Sequence, residues 1–143
     1  MNEKSKILII EDDIDLVESI KKLLETKDYN VTIAYDPEEG NVKLKQERPD
    51  IIILDVMFGS RGETKGFDFA RRIKNDTLYA DIPIVMMSAI NTSEPFFNFS
   101  PETDGEFLPV DCFLDKPIQP DELFSKIEDL LKQKFNKQRD DVK

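Results

Sequence analysis

Ile51-Ile52-Ile53-Leu54-Asp55 is a run of branched apolar residues that ends in a single carboxylate. An uninterrupted run of this kind is typical of a strand buried on both faces, as in a parallel sheet. Asp55 then lies at the carboxyl end of the strand, where open α/β sheets bind their ligands. An earlier stretch has the same form, because Ile7-Leu8-Ile9-Ile10 leads into Glu11-Asp12-Asp13. Two buried strands that deliver acids to one sheet edge predict a cation site, with Asp55 as a candidate for chemistry.

The length and composition are those of one domain with a full core. The chain has 143 residues, of which 39% are hydrophobic, and no apolar stretch approaches the length of a membrane-spanning helix. We expect a single domain over residues 1–136, followed by a polar tail over residues 137–143. The N-terminal residues lack the apolar core of a signal peptide, so a cytoplasmic location is expected.

The charge balance is strongly acidic. The chain has 30 Asp and Glu residues against 20 Lys and Arg residues, a formal net charge of −10. This argues against a nucleic-acid-binding surface, which needs clustered basic side chains, and is compatible with a divalent cation or a basic partner. The chain has no histidine and one cysteine, Cys112. Ser-His and Cys-His catalysis, an internal disulfide and a role for this chain as a phosphohistidine carrier are therefore excluded.

Strand and helix signals alternate along the chain. Helical spacing of apolar residues and capping residues mark the helices, and short branched runs mark the strands. Asp36-Pro37-Glu38-Glu39 is a strong helix start, with a capping Asp, Pro at the first position and Glu at the third. The predicted strands are Lys6–Ile10, Val31–Tyr35, Ile51–Leu54, Ile82–Met87 and Asp111–Leu114, and the predicted helices are Ile14–Thr26, Pro37–Glu47, Phe67–Asn75 and Pro120–Phe135.

This alternation predicts an α/β fold with right-handed crossovers and helices on both faces of a parallel sheet. Five strands suit a flavodoxin-like, doubly wound order, 2-1-3-4-5. Strands one and three are neighbours in this order, so the two acid-tipped runs would lie side by side. The fourth crossover does not fit the pattern, because Ile90–Pro109 contains Pro95, Pro101, Gly105 and Pro109. We expect a mostly irregular segment there.

The side chains at the predicted strand ends form a set suited to phosphoryl transfer, namely Glu11, Asp12, Asp13, Asp55, Ser88 and Lys116. Carboxylate oxygens suit Mg²⁺, which commonly binds a few carboxylates together with a phosphate. Lysine and serine suit phosphoryl oxygens, and a carboxylate can attack phosphorus to form an aspartyl phosphate. The set therefore predicts transfer of a phosphoryl group onto Asp55. Asp13 is better interpreted as the N-cap of the first helix, because acids there complement the helix dipole.

Four motifs resemble those of the receiver domains of two-component response regulators. Each motif alone is weak, but all four in order at the strand ends are a strong signal, and the similarity covers the chain from Lys6 to about Phe135. The motifs are Ile7-Leu8-Ile9-Ile10-Glu11-Asp12-Asp13, Ile53-Leu54-Asp55-Val56-Met57, Met87-Ser88-Ala89 and Asp115-Lys116-Pro117. The resemblance implies a signalling switch rather than an enzyme with a separate substrate. We expect a stand-alone receiver, since residues 136–143 are too few for an output domain.

The resemblance also implies a phosphorylation chemistry. Asp55 accepts the phosphoryl group from a histidine kinase or a histidine phosphotransfer protein, and an unknown downstream protein reads the change. Mg²⁺ is bound by Glu11, Asp12 and Asp55 together with the backbone carbonyl of Met57. Asp12 is expected to be the direct ligand of the acidic pair, and Glu11 is expected to act through water.

Three further residues match the positions that carry the switch in this family. Ser88 and Lys116 match the hydroxyl and the lysine that contact the phosphoryl group, and Phe113 matches the switch aromatic. Two segments depart from the family pattern. The loop that begins at Phe58 is a few residues longer than usual, and the segment from Ser88 to Lys116 is longer and contains several prolines. These departures concern access to Asp55 and the surface that reads its charge.

Two other functions are compatible with the sequence. A pseudo-receiver would be a binding scaffold that does not need phosphorylation. The unusual Ile90–Pro109 segment favours this function, and the retained acids, Ser88 and Lys116 argue against it. A phosphatase of the aspartate-nucleophile type, related to haloacid dehalogenases, needs a second acid two residues beyond the nucleophile. That position is Met57, so we expect negligible turnover of exogenous phosphoesters.

Overall fold

Strands and helices alternate in a computed structural model of the protein, which describes residues 5–55, 65–89 and 110–142. Met57, the long loop that begins at Phe58 and the Ile90–Pro109 segment therefore lie outside the described residues. The elements are β1 (Lys6–Ile10), α1 (Ile14–Glu25), β2 (Asn30–Ala34), α2 (Pro37–Glu47), β3 (Ile51–Asp55), α3 (Lys65–Lys74), β4 (Ile84–Ala89), β5 (Cys112–Lys116) and α4 (Pro120–Val142).

The strands form one parallel sheet in the order β2-β1-β3-β4-β5, which confirms the predicted flavodoxin-like topology. β1 and β3 pair in a register that sets Ile10 beside Leu54. Glu11 follows Ile10 and Asp55 follows Leu54. The two acids therefore lie side by side at the carboxyl-terminal edge of the sheet. The neighbouring pairs place Asp55 beside Met87 and Lys116 beside Ala89.

Helices cover both faces of the sheet. On one face, Leu8, Ile52 and Leu54 pack in a cluster with Leu44 of α2 and residues of α3 that include Phe69, Ala70 and Ile73. On the other face, Ile9 and Ile53 pack with Val17, Ile20 and Leu24 of α1 and with Leu123 and Ile127 of α4. Every residue of β3 is buried. The apolar run that ends in Asp55 is thus the centre of the core, as its composition predicts.

The two predicted helix starts are confirmed. The Asp13 carboxylate accepts a hydrogen bond from the backbone N–H of Leu16 at 3.1 Å, and the Asp36 carboxylate accepts one from Glu39 at 2.8 Å. Glu39 in turn accepts a hydrogen bond from the backbone N–H of Tyr35 at 2.9 Å. Each cap satisfies a backbone donor that the first helical turn leaves without a partner.

α2 lies very close to the end of β1. A Cβ atom placed on Gly40 would be 2.6 Å from Cδ1 of Ile10, closer than side-chain atoms can approach. Gly40 and Ile10 are both buried. The missing side chain at Gly40 therefore lets the helix pack directly on the residue that precedes Glu11.

Several element boundaries differ from the predicted ones. β4 begins at Ile84 rather than Ile82, because Pro83 has no N–H for a strand ladder and the N–H of Ile82 donates to the carbonyl of Tyr79 in a turn. α4 continues from the predicted end at Phe135 to Val142, through the residues expected to form a frayed tail. That segment contains neither Gly nor Pro and is rich in good helix formers such as Lys, Gln and Arg.

Two lysines form ion pairs at the opposite, amino-terminal edge of the sheet. Lys74 donates to the Asp111 carboxylate at 2.9 Å, and the same carboxylate oxygen accepts the backbone N–H of Ile84 at 2.8 Å. Lys134 of α4 lies 3.4 Å from the carboxylate of Asp50, which precedes β3. Within the described part of the chain, no helix is long and apolar enough to cross a membrane.

Candidate phosphoacceptor site

Three strands bring Glu11, Asp55 and Lys116 together at the carboxyl-terminal edge of the sheet. The Lys116 ammonium donates to Oε1 of Glu11 at 2.8 Å and to Oδ1 of Asp55 at 3.2 Å. Glu11 and Asp55 are buried, with 1% and 6% of their surface exposed. Lys116 is the last residue of β5 and remains one-quarter exposed at its side chain. The site is therefore a buried pair of acids that one lysine bridges from the solvent side.

Glu11 is held by the backbone around it. Its Oε2 atom accepts hydrogen bonds from the backbone N–H groups of Asp12 at 2.9 Å and Asp13 at 3.2 Å. Its own N–H donates to the carbonyl of Ala34, at the end of β2, at 3.1 Å. The Glu11 carboxylate thus has Lys116 on one oxygen and the turn that leads to α1 on the other.

Glu11, Asp12 and Asp55 form a cluster that could hold a metal ion. Each offers one carboxylate oxygen, and these oxygens lie within 4.8 Å of one another. Asp12 is exposed, whereas the other two are buried. Hard carboxylate oxygens with one side open to solvent suit Mg²⁺, which keeps several waters when it binds to proteins. The donor set therefore fits the cation that the sequence predicts.

Burial and charge shift the pKa values of the site in a consistent way. Burial raises the pKa of Glu11 from 4.5 to about 7, and Lys116 opposes this rise. Burial also raises the pKa of Asp55, again against the pull of Lys116. Burial alone would lower the pKa of Lys116, but its contacts with the two carboxylates outweigh that effect and raise it. The ammonium of Lys116 alone does not offset the cost of burying two negative charges. A further positive charge, such as a divalent cation, would stabilise the ionised acids.

Ser88 lies on β4, next to the strand that carries Asp55, and Phe113 lies on β5, one strand further from it. Met87 is the register partner of Asp55, so the buried Ser88 stands one residue further along β4. Phe113 is half-buried in β5 beside Met86 and packs against the core cluster on the α3 face. The structure therefore places the predicted hydroxyl on the strand beside Asp55 and the predicted aromatic on the strand after it, and their roles in a switch stay predictions.

Sequence reasoning missed two features of this site. It assigned Lys116 to the phosphoryl group and did not foresee that the ammonium bridges Glu11 and Asp55. It also assigned Glu11 only to the metal ion, through water, and did not foresee that its carboxylate accepts hydrogen bonds from two backbone amides. The signal for the second feature was the length of the side chain, since a glutamate two residues before a capping residue can fold back onto the amides that follow it. Asp13 is the helix cap that the sequence predicts, and the Lys116–Pro117 peptide bond is cis.

Comparison with known proteins agrees with this geometry. A family model described as the response regulator receiver domain matches residues 7–128. The chain is 30% identical to the phosphate regulon transcriptional regulatory protein PhoB of Pseudomonas aeruginosa, over 88% of this chain and 51% of that protein. It is also 30% identical to the DNA-binding dual master transcriptional regulator RpaA of Synechocystis, over 89% of this chain and 49% of that protein. The chain thus spans about half the length of these curated relatives.

Solved structures show the same fold. The chemotaxis protein CheY4 of Vibrio cholerae superposes with a TM-score of 0.74 at 25% sequence identity, and the match covers 90% of this chain and 99% of that chain. The strand order and the acids at the ends of β1 and β3 are therefore found in a chain with the architecture of a known signalling protein.

Proposed function

Because the chain belongs to the family of response regulator receiver domains, we propose that it is a phospho-accepting switch whose acceptor is Asp55. The observation that carries this proposal is the position of Asp55, buried at the end of the central strand with the Lys116 ammonium 3.2 Å from its Oδ1 atom. The family is one of signalling switches rather than of enzymes with a separate substrate. The proposed donor is a phosphohistidine on a histidine kinase or a histidine phosphotransfer protein.

The proposed step moves one phosphoryl group between two side chains. A carboxylate oxygen of Asp55 forms a bond to phosphorus as the bond from phosphorus to the donor imidazole breaks, and the imidazole nitrogen keeps the electron pair and takes up a proton. Lys116 is positioned to neutralise the charge that gathers on the phosphoryl oxygens, so catalysis rests mostly on position and electrostatics. The Ser88 hydroxyl is the proposed neutral donor to one of these oxygens.

Asp12 and Asp55 are the proposed direct carboxylate ligands of Mg²⁺, with the backbone carbonyl of Met57 as a further ligand. The bound ion would neutralise phosphoryl oxygens during transfer. The oxygens of Glu11, Asp12 and Asp55 lie close enough together to support a shared cation. The need to gather these acids also explains why Glu11 and Asp55 occupy a buried edge at which their pKa values rise.

The proposed switch acts through protein contacts. Once Asp55 carries a phosphoryl group, Lys116 exchanges a carboxylate partner for a phosphoryl oxygen, and Ser88 follows the same group. Phe113 lies half-buried on the adjacent strand and is the proposed aromatic that turns inward in response. A downstream protein would read the altered surface. PhoB and RpaA are named as transcriptional regulators, whereas the net charge of −10 gives this chain no evident affinity for nucleic acid.

Incubation with Mg²⁺ and a small acyl phosphate tests this proposal. Intact-mass measurement should show the gain of one phosphoryl group, and omission of Mg²⁺ should abolish the gain. The Asp55→Asn variant should not be labelled, and Asp121→Asn, which alters an exposed acid at the start of α4, should be labelled like the wild type. Equal labelling of wild type and Asp55→Asn would contradict the proposal. Partner binding that is unaffected by Asp55→Asn would instead favour a pseudo-receiver scaffold.

A further inference from the structure

We propose that Glu11 is a positioning residue: beyond the water-mediated role that the family resemblance implies for it, its carboxylate fixes the turn that carries Asp12. The turn is the short link of Glu11, Asp12 and Asp13 between β1 and α1. The part of this inference that concerns metal binding rests on the proposed function. The part that concerns the turn is a property of the metal-free protein.

Both oxygens of the Glu11 carboxylate already have partners. Oε2 accepts the N–H groups of Asp12 and Asp13, and Oε1 accepts the Lys116 ammonium at 2.8 Å. The bond from the Lys116 ammonium is charge-assisted and is therefore stronger than a bond between neutral groups. Three hydrogen bonds thus occupy most of the acceptor sites of this carboxylate, in a residue that is only 1% exposed. Asp12, in contrast, is exposed to solvent.

The bonds from Glu11 continue into α1. The Asp13 N–H donates to Glu11, and the Asp13 carboxylate accepts the N–H of Leu16 at 3.1 Å. The Asp13 carbonyl accepts the N–H of Val17 at 3.0 Å, which closes the first helical turn. On its other side, Glu11 is tied to β2 through the carbonyl of Ala34. The backbone N–H of Glu11 thus joins β2, its carboxylate joins the turn, and Asp13 continues the connection into α1.

These hydrogen bonds restrict the backbone of Asp12. Its backbone N–H is held by Glu11, and the N–H of the next residue is held by the same oxygen. The backbone position of Asp12 relative to Asp55 is therefore set before any cation arrives. A preorganised pair of ligands binds a cation more tightly than a pair that must first be ordered.

Two neutral variants of nearly equal length separate positioning from ligation. Glutamine keeps an oxygen that can accept the turn amides, whereas methionine fills similar space and accepts nothing useful. Both Glu11→Gln and Glu11→Met remove the negative charge of Glu11. Any difference between the two variants therefore reports the hydrogen bonds to the turn. Glu11→Ala serves as the second non-accepting variant if Glu11→Met does not fold. Asp12→Asn is the control that removes a proposed ligand and keeps the bonds from Glu11 to the backbone amides of the turn.

Amide hydrogen exchange at Asp12 and Asp13 in the metal-free protein is the first readout. Exchange should be similar in the wild type and Glu11→Gln and at least about tenfold faster in Glu11→Met, because the loss of such bonds allows local opening. The Mg²⁺ dissociation constant from an NMR titration is the second readout. Glu11→Gln should bind a few-fold more weakly than the wild type, and Glu11→Met about tenfold more weakly again, since only the latter loses the ordered turn.

Asp12→Asn should lose Mg²⁺ affinity without a change in exchange at the turn. The proposal is overturned if Glu11→Gln and Glu11→Met bind Mg²⁺ equally weakly and their amides exchange alike. Failure of the proposed function has a different signature. If the wild type takes up no phosphoryl group while exchange at the turn still depends on Glu11, the result supports the role of Glu11 in the turn and contradicts phosphorylation of Asp55.

Discussion

The Lys116 ammonium lies 2.8 Å from Oε1 of Glu11, although their strands, β5 and β1, are separated in the sheet by β3 and β4. Lys116 spans this distance by passing over the end of β3, where it also contacts Asp55 at 3.2 Å. A buried charge needs a nearby partner, and this lysine serves two buried acids at once. Its position makes it a competitor for any cation that binds the same carboxylates.

The first prediction concerns that competition. Replacement of Lys116 by methionine should tighten Mg²⁺ binding, by about tenfold, because it removes a positive charge from between the ligands. The same change should slow phosphorylation by a small donor, since the ammonium no longer neutralises phosphoryl oxygens. A Mg²⁺ titration and a labelling time course measure the two effects. Lys134→Met, which alters the lysine beside Asp50 at the opposite edge, should change neither, and an unchanged Mg²⁺ affinity in Lys116→Met would contradict the account.

The second prediction follows from the raised pKa of Glu11. Its pKa of about 7 in the folded, metal-free protein exceeds the ordinary value of 4.5, so between these values the folded state binds more protons than the unfolded state. The contribution of this group to stability is therefore complete below about pH 4.5 and is lost as the pH rises to about 7, a change on the order of a few kcal/mol.

Urea unfolding without metal at pH 5 and pH 8 measures this effect. The wild type should lose stability between the two values, and Glu11→Gln, which does not titrate, should lose clearly less. Mg²⁺ should bind more tightly at pH 8 than at pH 6, because the cation competes with a proton for the site. A Glu11→Gln variant with the same pH dependence of unfolding as the wild type would assign the titration to another group.

The third prediction separates the two neighbouring aspartates. Asp13→Ala should lower the free energy of unfolding by about 1 kcal/mol, because α1 loses its N-cap, with little effect on Mg²⁺ affinity. Asp12→Asn should weaken Mg²⁺ binding, with little effect on the free energy of unfolding. Urea unfolding and a Mg²⁺ titration on the same two samples decide the matter. A larger loss of Mg²⁺ affinity in Asp13→Ala than in Asp12→Asn would exchange their assigned roles.

The fourth prediction tests the close packing of α2 on β1. Gly40→Ala gains about 1 kcal/mol of helix propensity, but its new methyl group would press against Cδ1 of the buried Ile10. The net effect should be a destabilisation of about 1–2 kcal/mol. Ile10→Val removes the Cδ1 atom, so the double variant should be more stable than the sum of the single effects predicts. Additive free energies of unfolding in this double-mutant cycle would show that the contact does not constrain the helix.

Much of the fold follows from local patterns in the chain. Alternating strand and helix signals and the continuous apolar runs at Ile7–Ile10 and Ile51–Leu54 lead to the parallel sheet and its order. The strand limits near Pro83 were less predictable, because the missing N–H of proline acts through the neighbouring strand rather than through local hydrophobicity. The extent of α4 was underpredicted, since polarity at a chain end was interpreted as fraying although the residues are good helix formers.

The gathering of the site residues was predictable, and their contacts were not. Parallel strands end at one edge, so residues such as Glu11, Asp55 and Lys116 had to lie near one another once the strand order was known. The choice of partner by each oxygen depends on side-chain conformation and burial, which periodicity does not encode. The hydrogen bonds from Glu11 to the turn amides and the bridge formed by Lys116 are features of this second kind.

The most direct test of the central claim is to identify the phosphorylated residue. The protein is labelled with a small acyl phosphate in the presence of Mg²⁺. The phosphorylated carboxylate of the protein is then reduced with borohydride, and the modified peptide is sequenced by mass spectrometry. The reduced residue should be Asp55, and no other carboxylate should be labelled to a comparable extent. Labelling at Asp12 or at any other acid in place of Asp55, or a protein that is not labelled under conditions that saturate the Mg²⁺ site, would contradict it.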